Sequence, residues 1–326
     1  MIAITGAAGF IGSNLAHRLA GMGYDLLLVD HPVTSAKAVN WSGLSRFRFL
    51  THELFFDALR DGDPPVEAVF HLGACSRTTE TDWAYLLANN VEYSQKVWRW
   101  CAQAGRPFYY ASSAATYGDG SRGFDDRTPP EELAPLNLYG KSKNDFDRWV
   151  LNEVAEGRPT PPGWAGLKFF NVYGPREAHK GNMASVVWHA RRQILATGEM
   201  RLFRSNDPAF ADGEQRRDFV SVDDCVDHLV WLWQHPEIRG LFNSGTGTAR
   251  TFNNLTRAVF AALGREPVIR YIEMPAELER QYQNFTRADM SKLRSAGYAQ
   301  PPTPLEEGVL RCLSGADPSP PTPREG

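Results

Sequence analysis

Apolar residues in this chain fall into two rhythms. Ile2-Ala3-Ile4-Thr5, Asp25-Leu26-Leu27-Leu28-Val29-Asp30, Val66-Glu67-Ala68-Val69-Phe70-His71 and Pro107-Phe108-Tyr109-Tyr110-Ala111 are short, nearly continuous apolar runs. Runs of this kind mark strands covered on both faces. Between them lie stretches with helical spacing: residues 13–19 after the first run, residues 82–104 after the third, and a segment beginning near Tyr139 after the fourth. Strands alternating with helices predict an α/β fold, a doubly wound parallel sheet of the Rossmann type joined to a smaller α/β lobe. Residues 1–170 form mainly the first lobe in this reading and residues 171–313 mainly the second, with the chain crossing back near 217–245. From Ser314 onward the periodicity stops and Pro318, Pro320, Pro321 and Pro323 accumulate, so a disordered tail is expected.

Composition narrows the classes. The 326 residues are 42% hydrophobic and 22% charged with a formal net charge of -3. That balance lacks the basic excess that accompanies nucleic acid, and no apolar run approaches the roughly 18 residues of a membrane span. The expectation is a cytoplasmic protein with neither partner. Cys75, Cys101, Cys225 and Cys312 show no metal-ligand or disulfide spacing, so no metal is expected. Trp98 and Trp100, two apart on the 82–104 helix, leave different faces and favour packing against a neighbour, hence a homo-oligomer.

Candidate chemistry sits at the ends of the predicted strands. Gly6, Gly9 and Gly12 lie between the first strand and first helix, where glycines let a backbone approach a pyrophosphate and free N–H groups attract its charge. Asp30 ends the second strand, where a carboxylate accepts from a ribose 2'-hydroxyl and favours NAD. Lys37 could instead pair with a 2'-phosphate and favour NADP, so the cofactor is NAD or NADP. Leu72, Gly73, Ala74, Cys75 and Ser76 are mostly small and would let the backbone meet an adenosine or ribose. His71 reads as a satisfied core histidine. Asn89 and Asn90 are poor helix formers in a helix interior, so at least one is expected to hold a backbone or a ligand. Ser113 ends the fourth strand. Tyr139 and Lys143 are four apart, on one face if helical, where the ammonium would lower the phenol's pKa and make it a general base.

The ordered set Gly-x-x-Gly-x-x-Gly, Ser113 and Tyr139-x-x-x-Lys143 resembles the extended short-chain dehydrogenase/reductase family acting on nucleotide sugars. The resemblance continues through Phe169-Phe170-Asn171-Val172-Tyr173-Gly174-Pro175-Arg176, Arg217-Asp218-Phe219-Val220 and Phe242-Asn243-Ser244-Gly245, covering residues 1 to about 313. Within it, Gly73-Ala74-Cys75-Ser76-Arg77-Thr78-Thr79-Glu80 and Pro175-Arg176-Glu177-Ala178-His179-Lys180-Gly181-Asn182 are similar to the branch that epimerises ADP-heptose at C6. The resemblance implies a tightly bound NADP or NAD, NADP slightly favoured, and a nucleotide-sugar substrate of the ADP-heptose kind. It implies Ser113, Tyr139, Lys143 and Lys180 as catalytic, with Lys180 the second acid/base or, alternatively, a phosphate-binding cation. Phe10, Ile11, His31, Asn89, Val172 and Lys180 would join Asp30, Lys37 and Lys143 on the cofactor. Substrate contacts would come from Asn171, Asn182, His189, Phe203, Arg204, Ser205, Asn206, Arg217 and Tyr282. Leu72, His31 and Asn182 depart from the family's usual glutamate, asparagine and serine. A UDP-sugar 4-epimerase and a non-catalytic NAD(P)-binding protein are the alternatives; a dehydratase is disfavoured because Ala114-Ala115-Thr116 offers no acid beside Ser113.

Overall fold

The computed structural model describes residues 1–275 and 282–314; most of the tail, residues 315–326, lies outside them. Six strands, β1 (Ile2–Thr5), β2 (Leu26–Asp30), β3 (Phe47–Thr51), β4 (Ala68–His71), β5 (Phe108–Ser113) and β6 (Trp164–Phe169), are joined by the strand Gly240–Ser244 in one sheet. Its order is Gly240–Ser244, β6, β5, β4, β1, β2, β3, and every pairing is parallel. The chain leaves β1 for one edge and returns to build β4 on the other side. A crevice therefore opens at the carboxyl ends of β1 and β4, the place where doubly wound sheets bind ligands.

Alternation along the strands divides the interior. Ile2 and Ile4 face a core with Leu15, Leu26, Leu28 and Phe70, whereas Ala3 faces another with Leu27, Val29, Val97 and Phe108. The helix Phe10–Gly21 covers the first face beside Val222–Gln234, and Arg18 bridges the two helices to Asp227 at 2.7 Å. The smaller lobe has its own core, including Val187, Ile194, Phe219 and Val259. Its two-stranded pieces pair Asn171–Tyr173 with Phe219–Ser221 and Met200–Phe203 with Ile269–Ile272.

The stretch expected as one regular helix over residues 82–104 is broken by a π turn. Trp83–Leu86 and Tyr93–Ala104 are α-helical, and Leu87–Glu92 between them is π-helical. The wider turn aims Asn90 into the protein, where its side chain accepts from Cys75 N (2.8 Å) and donates to Cys75 O (3.0 Å) and Ser142 Oγ (2.9 Å). Such single turns recur at functional sites. Trp98 is fully buried, and Trp100 packs against the same core while staying partly exposed. Among the described residues no helix is long and apolar enough to cross a membrane.

Candidate active site

The glycine turn is fixed by close backbone approach. Gly6 has φ of +67°, and a Cβ there would stand 2.6 Å from Gly73 N and Cα; a Cβ on Gly12 would stand 2.2 Å from Gly6 O. No larger residue fits either place without displacing backbone. β1 and the residues after β4 are thereby held together beneath the start of the Phe10–Gly21 helix, a cradle for a dinucleotide's phosphates.

The ribose end is more crowded than the sequence suggests. Asp30, buried at the end of β2, accepts from Ala8 N (2.9 Å) and His31 N (2.9 Å), and Lys37 Nζ lies 3.2 Å from its Oδ1. His31 meets His52 edge to face at 4.0 Å between ring centres. With Glu53 these form the one trio with metal-ligand spacing among the described residues, their ligand atoms within 4.8 Å. Burial is the main cause that lowers the His31 imidazole, followed by the neighbouring His52.

Across the cleft, Leu138–Ala155 carries Tyr139 and Lys143. Asn137 caps its start by accepting from Gly140 N at 2.8 Å. Gly140 lets the helix lie directly on the backbone after β5, since a Cβ there would be 2.7 Å from Ala115 O. This contact brings Tyr139 towards Ser113 at the end of β5. The expected lowering of the Tyr139 pKa by Lys143 is not what the fold produces. Burial raises it, and the nearby Ser113 hydroxyl only partly offsets the rise. Lys143 instead donates to Ala111 O at 2.9 Å, and burial brings its ammonium down to about 8 against the opposing charge of Asp147.

Asp147, one turn beyond Lys143, is fully buried and was missed by sequence reasoning. It accepts from Ser112 Oγ (2.6 Å), Tyr110 OH (3.0 Å) and Lys168 Nζ (2.9 Å), while Lys168 also donates to Thr116 Oγ1 (2.8 Å). The signal was present: Lys168 is a lone charge inside the apolar run of β6. His71, taken as a core residue, is one; it bonds Thr5 Oγ1 and Ser94 Oγ at 2.7 and 2.8 Å, and burial lowers it to about 3.

Lys180 reaches the same cleft from the other lobe. It rides on the short helical segment Ala178–Met183, its Nζ 5.2 Å from the centre of the Phe10 ring. Burial lowers its pKa, and Glu177 opposes the shift. The cleft has a volume of about 910 Å³, within the range of small-molecule sites. Its walls include Gly6, Gly9, Phe10, Ile11 and Gly12 from the turn; Asp30, His31 and Lys37; Leu72, Gly73, Ala74, Cys75 and Ser76; and Asn89. Ser113, Tyr139, Lys143, Asn171, Val172 and Lys180 close it. His52, Tyr85, Tyr93 and His179 line it too; none was singled out from the sequence, although His179 stands in the same string as Lys180.

The remaining substrate candidates do not line this cleft. Asn182 is exposed, and its carbonyl lies 3.4 Å from His189 Nε2. Phe203 ends a strand, and Arg204 pairs with Asp212 and Glu273 at 3.4 and 3.1 Å. Ser205 N donates to Asp212 Oδ1 at 2.9 Å and Asn253 Nδ2 to Glu214 Oε1 at 2.6 Å, which ties down the loop carrying Asn206. Arg217 is buried, 5.2 Å from the Tyr282 ring centre, and burial lowers it to about 10. A buried guanidinium against an aromatic ring is suited to an anionic ligand.

The sequence profile of the NAD dependent epimerase/dehydratase family matches residues 2–245. The chain belongs to this family. It is 50% identical to the ADP-L-glycero-D-manno-heptose-6-epimerase of Nitratidesulfovibrio vulgaris, over 98% of this chain and 99% of that protein. The crystal structure of the Helicobacter pylori ADP-L-glycero-D-manno-heptose-6-epimerase superposes with a TM-score of 0.81 at 27% identity, covering 96% of this chain and 95% of that one. The UDP-glucose 4-epimerase of Thermotoga maritima is also similar, with a TM-score of 0.76 at 27% identity over 96% and 97% of the two chains.

Proposed function

We propose that this chain is a nucleotide-sugar epimerase, interconverting ADP-D-glycero-D-manno-heptose and ADP-L-glycero-D-manno-heptose by transient oxidation at C6. The observation that carries the reading is the approach of Lys180, from one lobe, to the cleft where Tyr139 and Ser113 meet on the other. A hydroxyl that changes sides needs proton transfer on two sides. A nicotinamide dinucleotide held by the glycine turn would supply the hydride acceptor and donor for reversible oxidation at C6.

The chain's own groups handle the proton and the orientation. Ser113, lining the cleft beside Tyr139, would hydrogen-bond the reacting oxygen. Burial moves the two acid/bases in opposite senses, holding the proton on Tyr139 and loosening it from Lys180. These directions suit Lys180 to take a proton from one epimer and Tyr139 to deliver one to form the other; the reverse direction exchanges the two roles. Lys143, four residues beyond Tyr139 on the same helix and lining the cleft, would hold the nicotinamide ribose. Arg217 with Tyr282, His189, Asn171, Asn182 and residues 203–206 form the sugar-nucleotide subsite on the smaller lobe.

NADP is the cofactor this arrangement favours. Lys37, His31 and His52 stand at the ribose end of the cleft beside Asp30, a group of nitrogen donors suited to a 2'-phosphate.

Incubating the protein with ADP-D-glycero-D-manno-heptose and following C6 by NMR tests the reading. Inversion at C6 is expected; no inversion there, with turnover of UDP-glucose instead, would replace it with 4-epimerisation. Lys180→Met is expected to lower turnover by about 10²- to 10⁴-fold. Near-normal turnover would remove the acid/base role.

A further inference from the structure

The loop that carries Lys180 is built on the smaller lobe but fastened to the dinucleotide lobe. On its own side Glu177, almost wholly buried, accepts from Ser185 Oγ (2.6 Å) and Ser185 N (2.5 Å), closing the loop at its base. Toward the other lobe, Asn14 Nδ2 donates to Pro175 O (3.0 Å), and Arg176 donates to Asn14 Oδ1 (2.8 Å). The contact nearest Lys180 is made by its neighbour: Asn40 Nδ2 lies 3.0 Å from His179 Nδ1.

Asn40 is placed unusually for a residue outside the catalytic group. It is 4% exposed, and its amide nitrogen also donates to Ala8 O at 2.9 Å, so both N–H groups are spent. Its backbone carbonyl lies 3.0 Å from His17 Nε2, and the next residue, Trp41, donates Nε1–H to Ala7 O at 2.9 Å. Asn40 is thus locked to the glycine turn and to the helix that follows it. It stands three residues beyond Lys37, on the segment that faces the ribose end of the cleft. An amide can only donate through Nδ2, so His179 must present a bare Nδ1 and keep any proton on Nε2. Burial and then the charges of Lys37 and Lys180 lower the ring to about 4, so it is neutral and has one bare nitrogen to offer.

We propose that the Asn40–His179 hydrogen bond is a latch between the lobes that positions Lys180 over the cofactor cleft, with Asn40 and His179 as positioning residues. The latch couples the segment that recognises the ribose end to the second acid/base. It rests on the reading of Lys180 as an acid/base, and it adds the reason why Lys180 keeps its place although Gly181 and Asn182 after it are exposed. Without the latch the loop stays tied at Glu177 and Asn14, so the lobe folds and the substrate subsite persists while Lys180 loses its fixed approach.

The test uses full-length protein with its cofactor. His179→Leu removes the acceptor, whereas His179→Asn can offer its side-chain oxygen near the place of Nδ1. Hydrogen–deuterium exchange of residues 178–184 is expected to quicken about five- to tenfold in His179→Leu, the effect of one lost hydrogen bond. The kcat should fall by a similar factor with KM little changed. His179→Asn should restore both. Unchanged exchange in His179→Leu would overturn the latch, as would a fall in kcat that His179→Asn does not recover. If exchange quickens while Lys180→Met still turns over normally, the latch stands and only the acid/base reading of Lys180 fails.

Discussion

The carbonyl oxygen of Ala115 lies 2.7 Å from where a Cβ on Gly140 would stand. That single close approach seats the Leu138–Ala155 helix on the backbone after β5 and so brings Tyr139 to Ser113. Gly140→Ala should push the helix outward, and a misplacement near 1 Å costs on the order of 10²-fold in rate. Turnover is expected to drop accordingly while cofactor content, measured by absorbance of the purified protein, stays near normal. An unimpaired Gly140→Ala enzyme would show that the contact is not what positions the phenol.

The ion pair of Asp147 and Lys168 has no solvent exposure on either side. Removing one partner strands the other charge, at a cost of roughly 3–5 kcal/mol. Lys168→Met should therefore lower the stability measured by urea unfolding by about that amount. The paired change Asp147→Asn with Lys168→Met should cost less than the sum of the single changes.

Burial brings Lys143 from the ordinary lysine range to about 8. Between that value and the unfolded pKa the unfolded chain binds the extra proton, so this group's contribution makes stability rise with pH across roughly pH 8 to 10.4. Below pH 8 the buried ammonium is a standing penalty of order 3 kcal/mol that rising pH relieves. Wild type should accordingly gain stability relative to Lys143→Met over that window. A difference that stays flat with pH would contradict a lowered Lys143.

Lys37 sits 3.2 Å from Asp30 at the ribose end. A charge-assisted contact to a 2'-phosphate is worth roughly 1.5–3 kcal/mol. Lys37→Ala should weaken NADP by about 10- to 100-fold and change NAD affinity little, as read by dissociation constants for the two cofactors. Equal losses for both would point away from a phosphate contact.

Much of this protein was legible before folding was considered. The continuous apolar runs at β1, β2, β4 and β5 fixed strands buried on both faces, the intervening helical spacing required parallel crossovers, and Gly6 and Gly12 marked the turn. Ser113 and the Tyr139–Lys143 pair could be assigned to the same cleft because strand ends in a parallel sheet converge there. Those signals are local, carried by periodicity and by residues with unusual backbone freedom. What only the tertiary structure decided depends on contacts far apart in sequence. The π turn brings Asn90 to Cys75 and Ser142; Asp147 is an interior charge because Lys168 meets it from β6; His179, next to Lys180, meets Asn40 from the opposite lobe. The direction of the Tyr139 shift belongs to the same class. A four-residue spacing promised a lowered phenol, but pKa follows burial and the actual partner, and in the folded chain Lys143 points its ammonium at Ala111 while the phenol is desolvated.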